Sequence, residues 1–185
     1  MTKTDRYVEC SAAGMKYRLI PVTDEIIRCM IAKDEVKTEQ ESLIIEKKEY
    51  PQVPFEAAEA DGAVTVKTSA VQAELNLKTG GITWKHADGS VWLEQNKADL
   101  TRIDVVHYNT GGEKPIINRV KTVDGERNFI QNLKAEKVRD GYRARVFFDW
   151  KEDEEIHGLG QAEEGIYNYR EHTQYLYQHN MRIPM

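Results

Sequence analysis

The sequence reads as an all-β protein, an antiparallel β-sandwich. Three features carry that reading. Apolar residues recur with period two along most of the chain, no window of a dozen residues shows a helical stripe, and turn-forming pairs separate the alternating runs. Many short alternating runs at turn-punctuated spacing bury one face each, and two such sheets stacked face to face satisfy them all.

Taken in chain order, EIIRCMIA at 25–32 sets Ile27, Cys29 and Ile31 on one side. The charge-rich stretch from Lys33 to Gly62, with Pro51 and Pro54, reads as irregular, and EAAEA at 56–60 within it as one or two helical turns. VTVKT at 64–68 is a strand. AVQAELNL at 70–77 is a half-buried one, with Val71, Ala73, Leu75 and Leu77 opposed to Gln72, Glu74 and Asn76. Gly80-Gly81 and Asp88-Gly89 punctuate the hairpins that follow, because these residues accept positive φ at little cost. Trp84 and Trp92, flanked by Ile82, Val91 and Leu93, are expected in the core. Asn109 to Asn132, with Gly111-Gly112 and Pro115, reads as irregular. In GYRARVFFDW at 141–150, Tyr142, Ala144, Val146 and Phe148 alternate with Arg143, Arg145 and Asp149, again a strand with one buried face.

The 185 residues suffice for one domain with a real core. The net charge of −5 arises from 26 basic and 31 acidic residues mixed along the chain, so no positive face for nucleic acid is expected. No run approaches the roughly 18 apolar residues of a membrane span. The N-terminus MTKTDRYVECSAAG lacks the apolar segment of a secretory signal. Of the two cysteines, Cys29 lies in an apolar run and reads as a small buried hydrophobe, and no disulfide with Cys10 is expected. Together these features predict a cytoplasmic protein.

The chemically loaded part is the end of the chain. HGLGQAEEG at 157–165 looks like a phosphate loop but lacks the third glycine at the required spacing; Glu163 stands there, and the acidic pair Glu163-Glu164 would repel phosphate. Gly158 and Gly160 read instead as a bend. His157, His172 and His179 match no metal-ligand spacing, so no metal and no cofactor are expected. Glu154, Glu155, Glu163 and Glu164 read as a solvated charged edge rather than an acid–base pair. Tyr167, Tyr169, Tyr175 and Tyr177 alternate with Asn168, Arg170, Gln174, Gln178 and Asn180. Aromatic faces beside amides suit a sugar, whose ring faces are apolar and whose rim is hydroxylated. Amphipathic filler at a sandwich edge uses the same residues.

His157-Gly158-Leu159-Gly160-Gln161, Asn168-Tyr169-Arg170 and Arg182-Ile183-Pro184-Met185 resemble the end of the N-terminal β-sandwich domain of glycoside hydrolase family 31. These are the α-glucosidases, α-xylosidases and related transglycosidases. Upstream, TDEIIR at 23–28 and the hairpins of 63–95 follow the same order. The resemblance implies a galactose-mutarotase-like supersandwich spanning 1–185, interrupted at its C-terminal edge and followed in a larger enzyme by a (β/α)8 barrel. The two catalytic aspartates of such a retaining enzyme belong to the barrel, so residues 1–185 contain no catalytic residue. The domain packs on its own barrel and lends a loop to the substrate site. Where that loop carries an aspartate in many members, this sequence has Asn180, with His179 and Gln178 beside it as further candidates for contacting an α-glycoside. An unpaired sheet edge would let two copies pair as a homodimer. Two other readings remain open at this point. One is a free-standing carbohydrate-binding module using Trp84 and Trp92 as a platform. The other is a mutarotase-like epimerase with a His base and a Glu acid.

Overall fold

The computed structural model describes residues 1–36, 50–158 and 165–174. Every regular element among them is a β-strand. The chain divides into two compact units, Met1–Phe148 and Asp149–Met185.

In the first unit, β1 (Thr2–Lys3), β2 (Val8–Ala12), β3 (Met15–Thr23) and β4 (Ile26–Ala32) form an antiparallel sheet in chain order. A second antiparallel sheet has six strands: β5 (Glu56–Ala60), β6 (Ala63–Lys67), β7 (Val71–Asn76), β8 (Ile82–His86), β9 (Val91–Asn109) and β12 (Lys134–Phe148). Its order is β12-β9-β8-β7-β6-β5. Between β9 and β12 lies a separate hairpin, β10 (Ile117–Thr122) and β11 (Gly125–Ile130).

Period-two alternation decides which face of each sheet is inside. Val8, Tyr17, Leu19 and Ile27 from the first sheet meet Val64, Val66, Val71, Ala73, Leu75 and Ile82 from the second in one core. The strand read at 71–77 buries Val71, Ala73 and Leu75, while Gln72, Glu74 and Asn76 stay accessible. Cys29 and Ile31 pack against the same core. Both cysteines are free thiols, and burial pushes the Cys29 thiol up to about 12.

Side-chain hydroxyls help to tie the sheets together. Tyr17 is fully enclosed, and its hydroxyl donates to the Gly80 carbonyl at 3.0 Å. Burial raises that phenol to about 12. Gly80 sits at φ 71°, and a Cβ there would collide with the Tyr17 hydroxyl, so both backbone shape and space require glycine. Another is Thr68, whose hydroxyl donates to the Asp24 carbonyl in the β3–β4 turn at 2.5 Å and accepts from Val71 N at 3.0 Å.

Three sequence-based expectations are corrected. EAAEA is strand β5, paired residue for residue with β6 from Glu56↔Lys67 to Ala60↔Ala63. The two-residue connection is Asp61-Gly62, with φ of 52° and 77°, a hairpin turn whose signal outweighs the helix propensity of the alanines. Within the stretch read as irregular, β10 and β11 pair over six positions, from Ile117↔Ile130 to Thr122↔Gly125. Almost every residue of that hairpin is exposed, so no apolar alternation marks it in the sequence. Trp84 does pack against the core, but Trp92 is 49% exposed, and so are its neighbours Val91 at 41% and Leu93 at 38%, because the start of β9 is open on both faces.

β12 is a strand as expected but has no buried face: Tyr142, Val146 and Phe148 remain 43%, 49% and 39% exposed. The long β9–β12 ribbon is held by its ladder and by surface ion pairs such as Arg145–Asp99 at 2.6 Å and Lys137–Asp104 at 2.7 Å. Stability should therefore concentrate in β2–β4 and β6–β8. Leu75→Ala, which empties an enclosed site, is expected to cost about 2–5 kcal/mol. Tyr17→Phe should cost about 1 kcal/mol through the orphaned Gly80 carbonyl. Val146→Ala, on the open ribbon, should cost well under half of the Leu75 change. Urea unfolding of the three variants tests this ranking, and equal losses would contradict it.

Candidate functional site

The residues predicted to touch sugar, Gln178, His179 and Asn180, lie outside the described residues, as do Tyr175 and Tyr177. What the structure does describe is the segment that leads to them, in the second unit.

Its described residues contain no helix or strand and are organised by side chains bonding backbone. Asn168 Oδ1 accepts from Ile156 N at 3.1 Å and from Arg170 N at 3.0 Å. Tyr169 N donates to the Ile156 carbonyl at 2.8 Å, and the Tyr169 ring is buried. Arg170 Nη1 reaches the carbonyls of Lys151 at 2.6 Å and Glu154 at 2.7 Å. A planar guanidinium is well suited to bridging two carbonyls at once, which a lysine would do with less fixed geometry. The Asn168-Tyr169-Arg170 step is thus a clamp that fastens 165–174 to 151–157.

At one side of this clamp, His157 is held at both nitrogens. Nδ1 lies 2.9 Å from the Tyr167 carbonyl and Nε2 lies 2.9 Å from Glu155 Oε2. A carbonyl and a carboxylate can only accept, so both bonds exist together only in the imidazolium. The Tyr167 carbonyl first, and the Glu155 carboxylate second, raise the His157 pKa above its ordinary value. The Tyr167 ring packs against the imidazole at 4.5 Å between centroids and is otherwise 81% exposed.

This geometry reassigns several sequence candidates. Glu155 is engaged with His157, and Glu154 accepts from Lys151 N at 2.9 Å, so these two carboxylates serve local structure; Glu163 and Glu164 lie outside the described residues. Of the three histidines weighed as metal ligands, His179 lies outside the described residues, and no cluster of metal-ligating side chains forms among those described. Gly158 takes φ 91°, the bend expected of it. The His157–Glu155–Tyr167 arrangement is not legible in the sequence as a unit, since it forms across a ten-residue separation. Their spacing of two and ten residues is the only trace.

Elsewhere, a cavity of about 310 Å3 is lined by Met1, Glu9, Cys10, Lys16, Asp34 and Glu35, among others. Burial raises the Cys10 thiol pKa, which leaves it protonated and unsuited to nucleophilic work. No helix among the described residues is long and apolar enough to cross a membrane, which leaves membrane-crossing strands aside.

No family model matches the sequence. Among solved structures, the chain shares its antiparallel β-sandwich fold with the GH31 alpha-xylosidase from Xanthomonas citri. The match has a TM-score of 0.60 and 21% sequence identity, and it covers 91% of this chain. The chain spans only 16% of the length of that enzyme. At this identity the likeness is one of fold, and function has to be argued separately.

One consequence concerns pH. With its folded pKa raised, His157 contributes to the order of this segment fully below the unfolded value near 6.5, and the contribution is lost as pH rises through the folded pKa. Amide exchange at Tyr169 and Arg170 should therefore quicken across that upper range beyond the ordinary base-catalysed increase. In His157→Gln this excess should vanish; its persistence there would remove His157 as the cause.

Proposed function

We propose that this chain is the non-catalytic N-terminal β-sandwich domain of a retaining α-glycosidase of family 31. In this reading it packs on its own barrel and lends a loop to the site where O-glycosidic bonds are hydrolysed. The observation that carries it is the shared fold over 91% of the chain with a GH31 alpha-xylosidase. It is supported by the His157–Gln161, Asn168–Arg170 and Arg182–Met185 segments that resemble the family's domain end. The clamp built by Asn168 and Arg170 supplies a physical reason for the second of these: it positions the segment that runs on to Gln178, His179 and Asn180. Those three are the residues we assign to substrate contact. Two free thiols, Cys10 and Cys29, suit a reducing, cytoplasmic setting.

A carbohydrate-binding module is the second reading, favoured by the exposure of Trp92. The two are separated by catalysis in the longer polypeptide. There, Asn180→Ala removes one sugar hydrogen bond of about 0.5–1.5 kcal/mol, a roughly 2- to 12-fold loss in kcat/KM. Unchanged kinetics would take Asn180 out of the site. Residues 1–185 by themselves should hydrolyse no aryl α-glycoside, since neither barrel carboxylate is among them. Turnover by this chain that a substitution within it abolishes would overturn the reading.

A further inference from the structure

We infer that the open edge of β4 receives one further β-strand of the longer polypeptide, with alternating apolar residues, and that this strand closes the sandwich over β9 and β12. The inference rests on the family reading above and names the edge and the face of this chain that the rest of the polypeptide completes.

The two layers are unequal, four strands against six. Met1 N pairs with Glu59 at 2.9 Å and Lys3 Nζ donates to the Phe55 carbonyl at 3.1 Å, so β1 lies at the β5 end. The smaller sheet therefore runs out before β12. Register shows what it leaves uncovered. Ile82, enclosed in the core, pairs with Gln95, and Gln95 pairs with Phe148 on β12. Cross-strand partners share a face, so Phe148, Val146 and Tyr142 stand on the core face continued. Leu100 on that face still packs against the core, whereas the three β12 side chains are open. At the boundary Gln95 is 8% exposed, and its Nε2 has no hydrogen-bond partner among the described residues. A buried amide donor without an acceptor is rare, and here it marks where a neighbouring strand belongs.

Among the described residues the two sheets end on β1, β4, β5 and β12, and three of these edges are guarded. β1 has two residues, and β5 carries Glu56 and Glu59 in five. β12 is bulged at Val138 and carries Lys137, Arg139, Arg143 and Arg145. Short length, charge and bulges keep a sheet edge from pairing. β4 has none of them. It pairs with β3 without a break from Lys16↔Ala32 to Pro21↔Ile27, and its seven residues carry one charge, Arg28. Ile27, Cys29 and Ile31 of β4 already pack in or against the core. A strand laid beside them with apolar residues at every second position extends that inner row over Val146 and Phe148. A second copy of β4 does not fit there. Pairing two β4 strands about a twofold sets both larger sheets on the same side, where their β12 ends collide. In the family reading most of the polypeptide lies outside residues 1–185, and it is the source of the strand.

The test is amide hydrogen exchange of residues 26–32, compared between residues 1–185 alone and the longer polypeptide. In the chain alone, the β4 amides that point away from β3 should exchange freely. In the longer polypeptide they should slow by about tenfold or more, and the Tyr142 and Phe148 rings should lose reactivity toward hydroxyl radicals. Equal exchange over 26–32 in the two proteins, or unchanged oxidation of both rings, would overturn the inference. So would slowing that appears in the chain alone and grows with its concentration, because the occupant would then be a second copy. Any of these failures would leave the accessory-domain reading standing, since that reading is judged by the kinetics of Asn180→Ala.

Discussion

The structure of the first unit depends on one buried hydroxyl. Tyr17 is the largest side chain in the core to be fully enclosed, and its ring alone would pack well between the sheets. Its oxygen cannot be left without a partner at that depth, and the acceptor available is the Gly80 carbonyl. Much of the β7–β8 connection follows from presenting that carbonyl. Asn76 Oδ1 accepts from Lys78 N and Thr79 N at 3.0 Å each, and Gly80 N returns to the Asn76 carbonyl at 2.9 Å. Gly80 and Gly81 are both hemmed in, the first by Tyr17 and the second by the Asn96 backbone. A backbone bond of 3.0 Å from Ala13 N to the Leu77 carbonyl joins the β2–β3 turn to the same place. The spacing of the two sheets is thus set by polar geometry at one end and by apolar side chains along the middle.

Away from this junction the character of the protein changes. The β9–β12 ribbon is long, bulged at two places and exposed on much of both faces. Its polar contacts lie at the surface: Arg145 holds the Asp99 carboxyl below its usual range, and Lys137 does the same to Asp140. Such pairs are screened and add little to stability, so the ribbon owes its shape mainly to backbone hydrogen bonds. A unit with a tight core at β2–β4 and β6–β8 and a lightly anchored ribbon is suited to local opening without global unfolding.

The second unit obtains order by another route. With no strand among its described residues, it relies on Asn168 and Arg170 to satisfy backbone groups and on His157 to join Glu155 to Tyr167. In the sequence the Tyr-rich end of the chain is one alternating strip. Tyr169 and Tyr167 have opposite fates, one buried and one almost bare, because the clamp turns the backbone between them. Sequence spacing alone does not contain that turn.

By itself the sequence determined the all-β class, the inward faces of β4, β6 and β7, and the hairpin at Asp88-Gly89, because apolar alternation and turn chemistry are local and each is written in neighbouring residues. It also held the hairpin signal at Asp61-Gly62, which the alanines around it obscured. Tertiary structure alone decided that EAAEA is an edge strand, since pairing with β6 outweighs intrinsic preference. It decided that 117–130 is a hairpin with hardly a buried residue, which leaves no pattern to read. It placed Trp84 against the core and left Trp92 exposed at the start of β9, where Val91 and Leu93 are exposed too. Burial, bulges and the partners of a histidine are set by residues distant in the chain, and no local window records them.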